Sequence, residues 1–354
     1  MTQPRCPYFS NCGGCQHQNV AYKQQLRNKQ QLLKELYNQD VPITSHPTSY
    51  AYRNRMDFVC TSQGIGLRGA SHEDIVDIQT CAIAQEPINQ ALQTIREWVR
   101  TNNIPCLDVE TKEGFLRYAS IRTGNNQLQV TLTTASEAHE QAIDELAKQL
   151  NATSLVWTVE EASISQTIGS RTNKVYGEET ITLTLADKEF LIDAHTFFQT
   201  SPYMAEQAIK HIKQYVNPDE RVHDLYCGVG VLGQCVSNHV VGVEQVAQSV
   251  KQARKNAQIN GVQATYYCAD AAAWLMGQQP TTVLVDPPRA GLGVGAQTLL
   301  AAKPQTIVYL SCNPKSQKRD LVHLQQAYEL VDVQGFDFFA HTDHVECLAV
   351  LKRR

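Results

Sequence analysis

Three strand ends in this chain carry the residues best suited to chemistry. An apolar, β-branched run, Ile307-Val308-Tyr309-Leu310, stops at Ser311-Cys312-Asn313-Pro314. Cys312 is therefore expected at the exposed carboxyl end of a strand, just before a helix that Pro314 opens. A thiol there asks for an electrophile. Its ordinary pKa of about 8.5 leaves only a few per cent as thiolate at neutral pH, and a helix start with Lys315 nearby raises that fraction. One βα unit earlier, Val283-Leu284-Val285 ends in Asp286-Pro287-Pro288-Arg289, a stiff loop that places a carboxylate and a fixed backbone carbonyl. Near the end of the chain, Glu346 stands immediately before the apolar run Cys347-Leu348-Ala349-Val350-Leu351. Burial at that position would raise its proton affinity and suit it to proton transfer. His341 and His344 stand close by without a third clustered ligand, and read as loop residues or hydrogen-bond partners.

A third strand end reads Asp224-Leu225-Tyr226-Cys227-Gly228-Val229-Gly230-Val231-Leu232-Gly233. Gly228 and Gly230 begin a G-x-G-x-x-G fingerprint, a weak signal alone. The next strand ends in Glu244, whose carboxylate can accept both hydroxyls of a ribose. NAD and S-adenosylmethionine both carry that ribose. The Asp-Pro-Pro loop tips the choice, since it has no role in hydride transfer and suits alkyl transfer to a planar heterocycle.

A separate set of thiols lies at the start. Cys6, Cys12 and Cys15 form C-x5-C-x2-C with Gly13 and Gly14 between the last two. Glycines there let backbone N–H groups turn toward bound sulfur or metal. Cys60, Cys81 and Cys106 are candidates for a fourth ligand; Cys81 is preferred because it leaves a short strand into a turn, whereas Cys60 sits mid-strand and reads as core. Four thiolates suit zinc or an iron–sulfur cluster, and the residues alone leave the two even.

The elements that must position these groups fall into three stretches. Residues 1–48 read as a cysteine-rich segment followed by an amphipathic helix carrying Leu26, Leu32, Leu33 and Leu36. Residues 49–195 carry short alternating strands with a hairpin at Gly124-Asn125-Asn126 and covering helices near 87–101 and 138–150, an α+β domain. Arg53, Arg55, Arg68, Arg117 and Arg122 there read as exposed, chiefly a solvated face and secondarily phosphate contacts. From 196 to 354 strand and helix alternate, an α/β order that predicts a doubly wound sheet closed by an antiparallel pair.

Composition narrows the class of function. The 354 residues are 42% hydrophobic, ample for a large core, and a formal net charge of −4 disfavours nonspecific coating of nucleic acid. No apolar run approaches a membrane span, and no export signal opens the sequence, so the expected location is cytoplasmic and the eleven cysteines read as metal-binding or catalytic rather than disulfide-bonded.

Taken together, these motifs, with Phe197-Phe198-Gln199 and His344-Val345-Glu346, resemble the RNA (uracil-5-)-methyltransferases over nearly the whole chain. The resemblance implies a Rossmann-like domain binding S-adenosyl-L-methionine (SAM) and contacts to SAM or the target base from Gln199, Tyr226, Glu244 and Asp286. It makes Cys312 the nucleophile and Glu346 the base. It also implies a [4Fe-4S] cluster on Cys6, Cys12, Cys15 and Cys81, which moves zinc down. The likeness is nearest to the branch that methylates 23S ribosomal RNA (23S rRNA), because the thiols are present and the chain starts too close to them for a small β-barrel RNA-binding (TRAM) domain. Some members of that branch have Asn where this chain has Asp286. A tRNA (uracil-5-)-methyltransferase is the alternative. A non-catalytic iron–sulfur RNA-binding module and an NAD-dependent oxidoreductase are readings from other classes. The expected partner is RNA with an unpaired or flipped uridine; no obligate protein partner is indicated.

Overall fold

The computed structural model describes residues 2–69 and 74–354. In chain order the elements are α1 (Tyr22–Tyr37), β1 (Ile43–Thr44), β2 (Arg55–Thr61), β3 (Gly64–Arg68), β4 (Ile75–Asp77), α2 (Glu86–Thr101), β5 (Leu116–Gly124), β6 (Gln127–Thr134) and α3 (Glu140–Gln149). They continue with β7 (Ser154–Val159), β8 (Arg171–Gly177), β9 (Ile181–Leu185), β10 (Lys188–Ile192), α4 (Pro202–Ile212), β11 (Arg221–Leu225), α5 (Val231–Val236), β12 (His239–Glu244) and α6 (Ala247–Ile259). The last are β13 (Gln263–Cys268), α7 (Ala271–Leu275), β14 (Thr282–Val285), α8 (Gly295–Ala302), β15 (Thr306–Ser311), α9 (Pro314–Leu324), β16 (Tyr328–Phe336) and β17 (Glu346–Arg353). Two units result. One comprises Met1–Ala21, Thr48–Leu183 and Asp193–His195; the other comprises Tyr22–Pro47, Thr184–Ile192 and Thr196–Arg354. The stretch 1–48, expected as one piece, divides between them after Ala21.

The first unit is built on a seven-stranded sheet in the order β4-β3-β2-β5-β6-β7-β8. Its ladders are antiparallel except β6 with β7, which run parallel because α3 carries the chain back across the sheet. The expected hairpin forms: Gly124 pairs with Gln127 across Asn125 and Asn126, both at positive φ (49° and 60°), the signature of a type I′ turn. Of the five arginines only Arg68 is exposed; Arg53 and Arg55 are half-buried, and Arg117 and Arg122 are interior. Arg117 and Arg122 are only 5% and 4% exposed. The Arg117 Nη1 donates to the carbonyls of Glu160 and Ser163, and the Arg122 Nη1 donates to the carbonyl of Asp193. These strand arginines donate to loop carbonyls, while the Arg117 Nε stays buried without a partner. Burial, with Arg55 nearby, brings Arg122 down to about 9.

The second unit is built on an eight-stranded sheet in the order β1-β16-β17-β15-β14-β11-β12-β13. The strands β15, β14, β11, β12 and β13 are parallel, and β17 runs antiparallel between β15 and β16. Its central strands read Val-Leu-Val and Ile-Val-Tyr-Leu because helices cover both faces of a parallel sheet. The strand order reverses between β11 and β14, and in open α/β sheets the crevice at such a reversal takes the ligand. Gly242 lets β12 approach its neighbour, since a Cβ there would lie 2.2 Å from the ring of Tyr266.

The helix α1 belongs to this unit, and its buried face differs from the leucine stripe. Gln25, Lys29, Leu33 and Tyr37 are buried, whereas Leu26, Leu32 and Leu36 are only half-buried. Leu33 packs into the core formed by β14, β15 and β17, close to the backbone of Gly335. Leu33→Ala is expected to cost about 2–5 kcal/mol, read as a lower urea midpoint with an unchanged slope.

Candidate active site

The crevice is assembled by strand register. Leu225 pairs with Val243 on one side and with Val285 on the other, so Tyr226, Glu244 and Asp286 follow at one level. Ser311, the last residue of β15, pairs with Cys347, so Cys312 just past the strand follows on the side of Glu346, the residue that opens β17. Alternation along β17 sends Cys347 into the apolar core and Glu346 to the opposite face.

Each residue of Ser311-Cys312-Asn313-Pro314 has a local task. The Ser311 hydroxyl accepts from the Asn313 N–H at 3.2 Å, and the Asn313 side chain accepts from the Lys315 N–H at 3.2 Å, capping α9 with Pro314 in its first turn. The Asn313 amide donates to the carbonyl of Arg289 at 3.0 Å, tying this turn to the Asp286-Pro287-Pro288-Arg289 loop. Cys312 is left half-buried between them.

Carboxyls dominate the electrostatics. Burial raises the pKa of its thiol, the nearby Glu346 and Asp286 raise it further, and Arg289 opposes them. Glu346 is buried, and desolvation followed by the neighbouring Asp286 pushes its carboxyl far above the ordinary range. Asp286 itself is pushed up to about 7 by burial.

Beside these groups opens a cleft with an empty volume of about 560 Å³. Phe197, Phe198, Ile209, Val229 and Phe338 supply its apolar walls; Gln199, Asp224, Tyr226 and Asp286 supply polar atoms. Gly228 (φ 53°) has nothing within 4 Å of where a side chain would begin, so its backbone offers an open approach. Gly230 (φ 86°) is needed for another reason: a Cβ there would lie 2.5 Å from the Gln234 amide nitrogen. Glu244 is oriented by the N–H of Gly228 at 3.1 Å and that of Val246 at 2.9 Å. Asp224 was not singled out from the sequence, although it begins the glycine motif. One of its oxygens accepts from the Gly233 N–H at 2.9 Å; the other, Oδ1, is buried without a partner. Burial first, with Asp286 and Glu244 adding to it, raises Asp224 to about 7.

A buried acid with one oxygen unpartnered, an open glycine backbone and an oriented carboxylate suit the methionyl and ribose parts of SAM. His341 is a hydrogen-bond partner, its N–H donating to Gln25 Oε1 at 2.8 Å.

The thiols of the first unit lie within electrostatic reach of one another. Cys15 is raised to about 11, by burial first, with Cys81, Cys12 and Cys6 adding to it. The Gly14 N–H points at Cys12 Sγ (3.4 Å), and a Cβ at Gly13 would strike the carbonyl oxygen of Gly69 at 2.6 Å. Among the described residues, however, no group of three or more His, Cys, Asp or Glu side chains is arranged to hold a metal ion. Cys60 is core, as expected.

The doubly wound sheet and its cleft define the class of protein, a SAM-dependent methyltransferase. A family model described as "Methyltransferase small domain" matches residues 205–307, and one described as "tRNA (Uracil-5-)-methyltransferase" matches residues 271–354. The tRNA (uracil(54)-C(5))-methyltransferase of Pyrococcus horikoshii is 36% identical over 98% of this chain and 85% of its own length. An uncharacterized RNA methyltransferase of Caldanaerobacter subterraneus subsp. tengcongensis is 30% identical over 98% and 84%. The crystal structure of the Pyrococcus abyssi tRNA (uracil-54, C5)-methyltransferase in complex with S-adenosyl-L-homocysteine superposes with a TM-score of 0.87, at 30% identity, over 96% of this chain and 86% of that one. The chain belongs to the RNA (uracil-5-)-methyltransferase family and is a SAM-dependent enzyme that methylates uracil C5 in RNA. The nicotinamide and non-catalytic readings fall with that membership. No helix among the described residues is long and apolar enough to cross a membrane.

The raised carboxyls have a consequence for stability. Asp286 keeps its proton up to about pH 7 when folded and releases it near about pH 4 when unfolded. The folded state therefore binds more protons in that window, so this group's contribution falls as pH rises through it and is level above. Asp286→Asn is expected to lose that part of the decline, measured as the change in urea midpoint between pH 5 and pH 7.5 relative to wild type.

Proposed function

We propose that the enzyme converts a specific uridine of transfer RNA to 5-methyluridine in the cytoplasm, with Cys312 as nucleophile and Glu346 as base. The observation that carries the chemical assignment is the β15–β17 register that sets Cys312 across from Glu346 beside Asp286. Uracil C5 is too weak a nucleophile to be methylated unaided. The half-buried Cys312 thiol gives its proton to solvent, the thiolate adds to C6, and the electron pair of the C5–C6 double bond moves onto the carbonyl as an enolate. When bound, SAM would supply C5 with an electrophilic methyl group from its sulfonium, the leaving group being a neutral thioether. Glu346, in its ionised form, removes the C5 proton; that C–H pair restores the double bond and expels the Cys312 thiolate. Burial makes the ionised Glu346 avid for that proton.

For the donor, Glu244 would accept the ribose hydroxyls, Asp224 would face the charged methionyl end, and Gly228 and Gly230 would line its approach. Gln199, Tyr226 and Asp286 would contact the donor or the target base. Transfer RNA is favoured over 23S rRNA because relatives matching 98–99% of this chain carry the name tRNA (uracil(54)-C(5))-methyltransferase. The first unit would serve as RNA platform.

We also assign Cys6, Cys12, Cys15 and Cys81 to a [4Fe-4S] cluster. Their mutual electrostatic reach supports this, with Cys81, Cys12 and Cys6 all acting on Cys15. The cluster would tie the N-terminal segment to the turn after β4.

Two experiments test these assignments. With radiolabelled donor and an RNA bearing the target uridine, Cys312→Ala should form neither product nor covalent adduct. Glu346→Gln should accumulate a denaturation-resistant adduct already carrying the label; normal turnover would remove Glu346 from the mechanism. Offered unmodified tRNA and 23S rRNA, the wild type should label the tRNA, and exclusive labelling of 23S rRNA would reverse the substrate assignment. Anaerobically purified protein should be brown, with iron and sulfide lost in Cys81→Ala, whereas stoichiometric zinc without iron would refute the cluster.

A further inference from the structure

A buried polar ridge on α1 faces the segment that delivers Glu346. Residues 337–345 connect β16 to β17 without regular structure, and Glu346 is the first residue beyond them. Its carboxylate accepts no hydrogen bond from any described residue. The ladder pairs Glu346 with Phe336 of β16, so where its side chain points depends on that ladder and on how the chain enters β17. Within the connection, the Thr342 hydroxyl donates to the carbonyl of Phe339 at 2.8 Å and accepts from the His344 N–H at 3.2 Å, bonds that shape a local turn.

The helix supplies a further constraint. Tyr22, Gln25 and Lys29 lie on one face at spacings of three and four. The Lys29 ammonium donates to Asp337 Oδ1 at 2.6 Å and to the carbonyl of Phe339 at 3.0 Å. The Tyr22 hydroxyl donates to the other Asp337 oxygen at 2.7 Å. Gln25 brackets His341, accepting from its backbone N–H at 2.8 Å and meeting its Nδ1 at 3.0 Å. The Asp337 backbone is pinned as well, its N–H donating to the carbonyl of Thr44 at 3.0 Å.

The ion pair is fully interior, with side-chain exposures of 5% for Lys29 and 0% for Asp337. A buried pair of this kind is a weak source of stability, because desolvating both charges offsets most of their attraction, and apolar replacements of similar size are often neutral or better. Its directional bonds fix one path for the 337–345 connection. That is a geometric service, and Glu346 is the group at the end of the path.

We propose that Lys29, Asp337 and Gln25 are positioning residues for Glu346, holding the 337–345 connection so that the carboxylate reaches the C5 proton. This rests on the assignment of Glu346 as the base. Since addition and methyl transfer precede proton removal, a slackened connection should stall the enzyme at the methylated adduct. A merely structural role would lower the melting temperature and leave the distribution of intermediates unchanged.

The test compares wild type, Glu346→Gln, the double variant Lys29→Met with Asp337→Leu, and Gln25→Leu, using radiolabelled donor and denaturing gels. Removing both charges leaves no unpaired buried ion, so the double variant should melt at or above the wild-type temperature. Its kcat should fall roughly 10–100-fold with KM for the donor unchanged, and labelled adduct should accumulate. Wild-type turnover in a stably folded double variant would overturn the proposal, as would slow turnover without adduct. Should the double variant melt early, Gln25→Leu decides by the same two readouts. Adduct from Glu346→Gln but none from the ridge variants refutes this inference alone. No adduct from Glu346→Gln refutes the base assignment and this inference with it.

Discussion

The insertion of β17, antiparallel, between β15 and β16 is the constraint on which the reacting centre depends. A parallel neighbour would bring another carboxyl end to the crevice, the end where every parallel strand already finishes. An antiparallel neighbour brings the beginning of a strand instead, so the residue that enters β17 meets the residue that leaves β15. Cys312 and Glu346 face each other for that reason. A shift of one residue in this ladder would turn Glu346 into the core and Cys347 toward the crevice.

Placing three carboxyls around one crevice has an electrostatic cost that the fold tolerates. Asp224, Asp286 and Glu346 each hold their protons more tightly than a solvated acid would, and in each case burial is the leading cause. The same carboxyls oppose ionisation of Cys312, and Arg289 is the cation set against them. Proton affinities this far from ordinary values gather where proton transfer is the task.

The crevice is also tied together from beneath. Gln317 is fully buried and donates to the carbonyls of Tyr309 and Cys347 at 2.7 and 3.0 Å, joining β15 to β17. The Tyr37 hydroxyl at the end of α1 donates to the Gln317 side chain. The helix thus touches both arms of the site, through Tyr37 below the paired strands and through Lys29 and Gln25 at the connection.

Much of the second unit was legible in the sequence because a strand buried on both faces must be continuously apolar, and its polar termination then marks the crevice. Cys312, Asp286 and Glu244 stand at such terminations, and the Asn125-Asn126 turn was legible because few residues accept positive φ. Tertiary structure decided what depends on a partner far along the chain. Arg117, Arg122 and Lys29 look like solvated residues until carbonyls or a carboxylate some 40 to 300 positions away satisfy them. The stretch Tyr22–Pro47 joined the methyltransferase sheet for the same reason, through contacts with a connection more than 290 residues later. Asp224 lay in plain view within the glycine motif, yet only its enclosure left one oxygen without a donor. Residue type and spacing determined which groups could react; strand order and burial decided which of them meet, and in which protonation state.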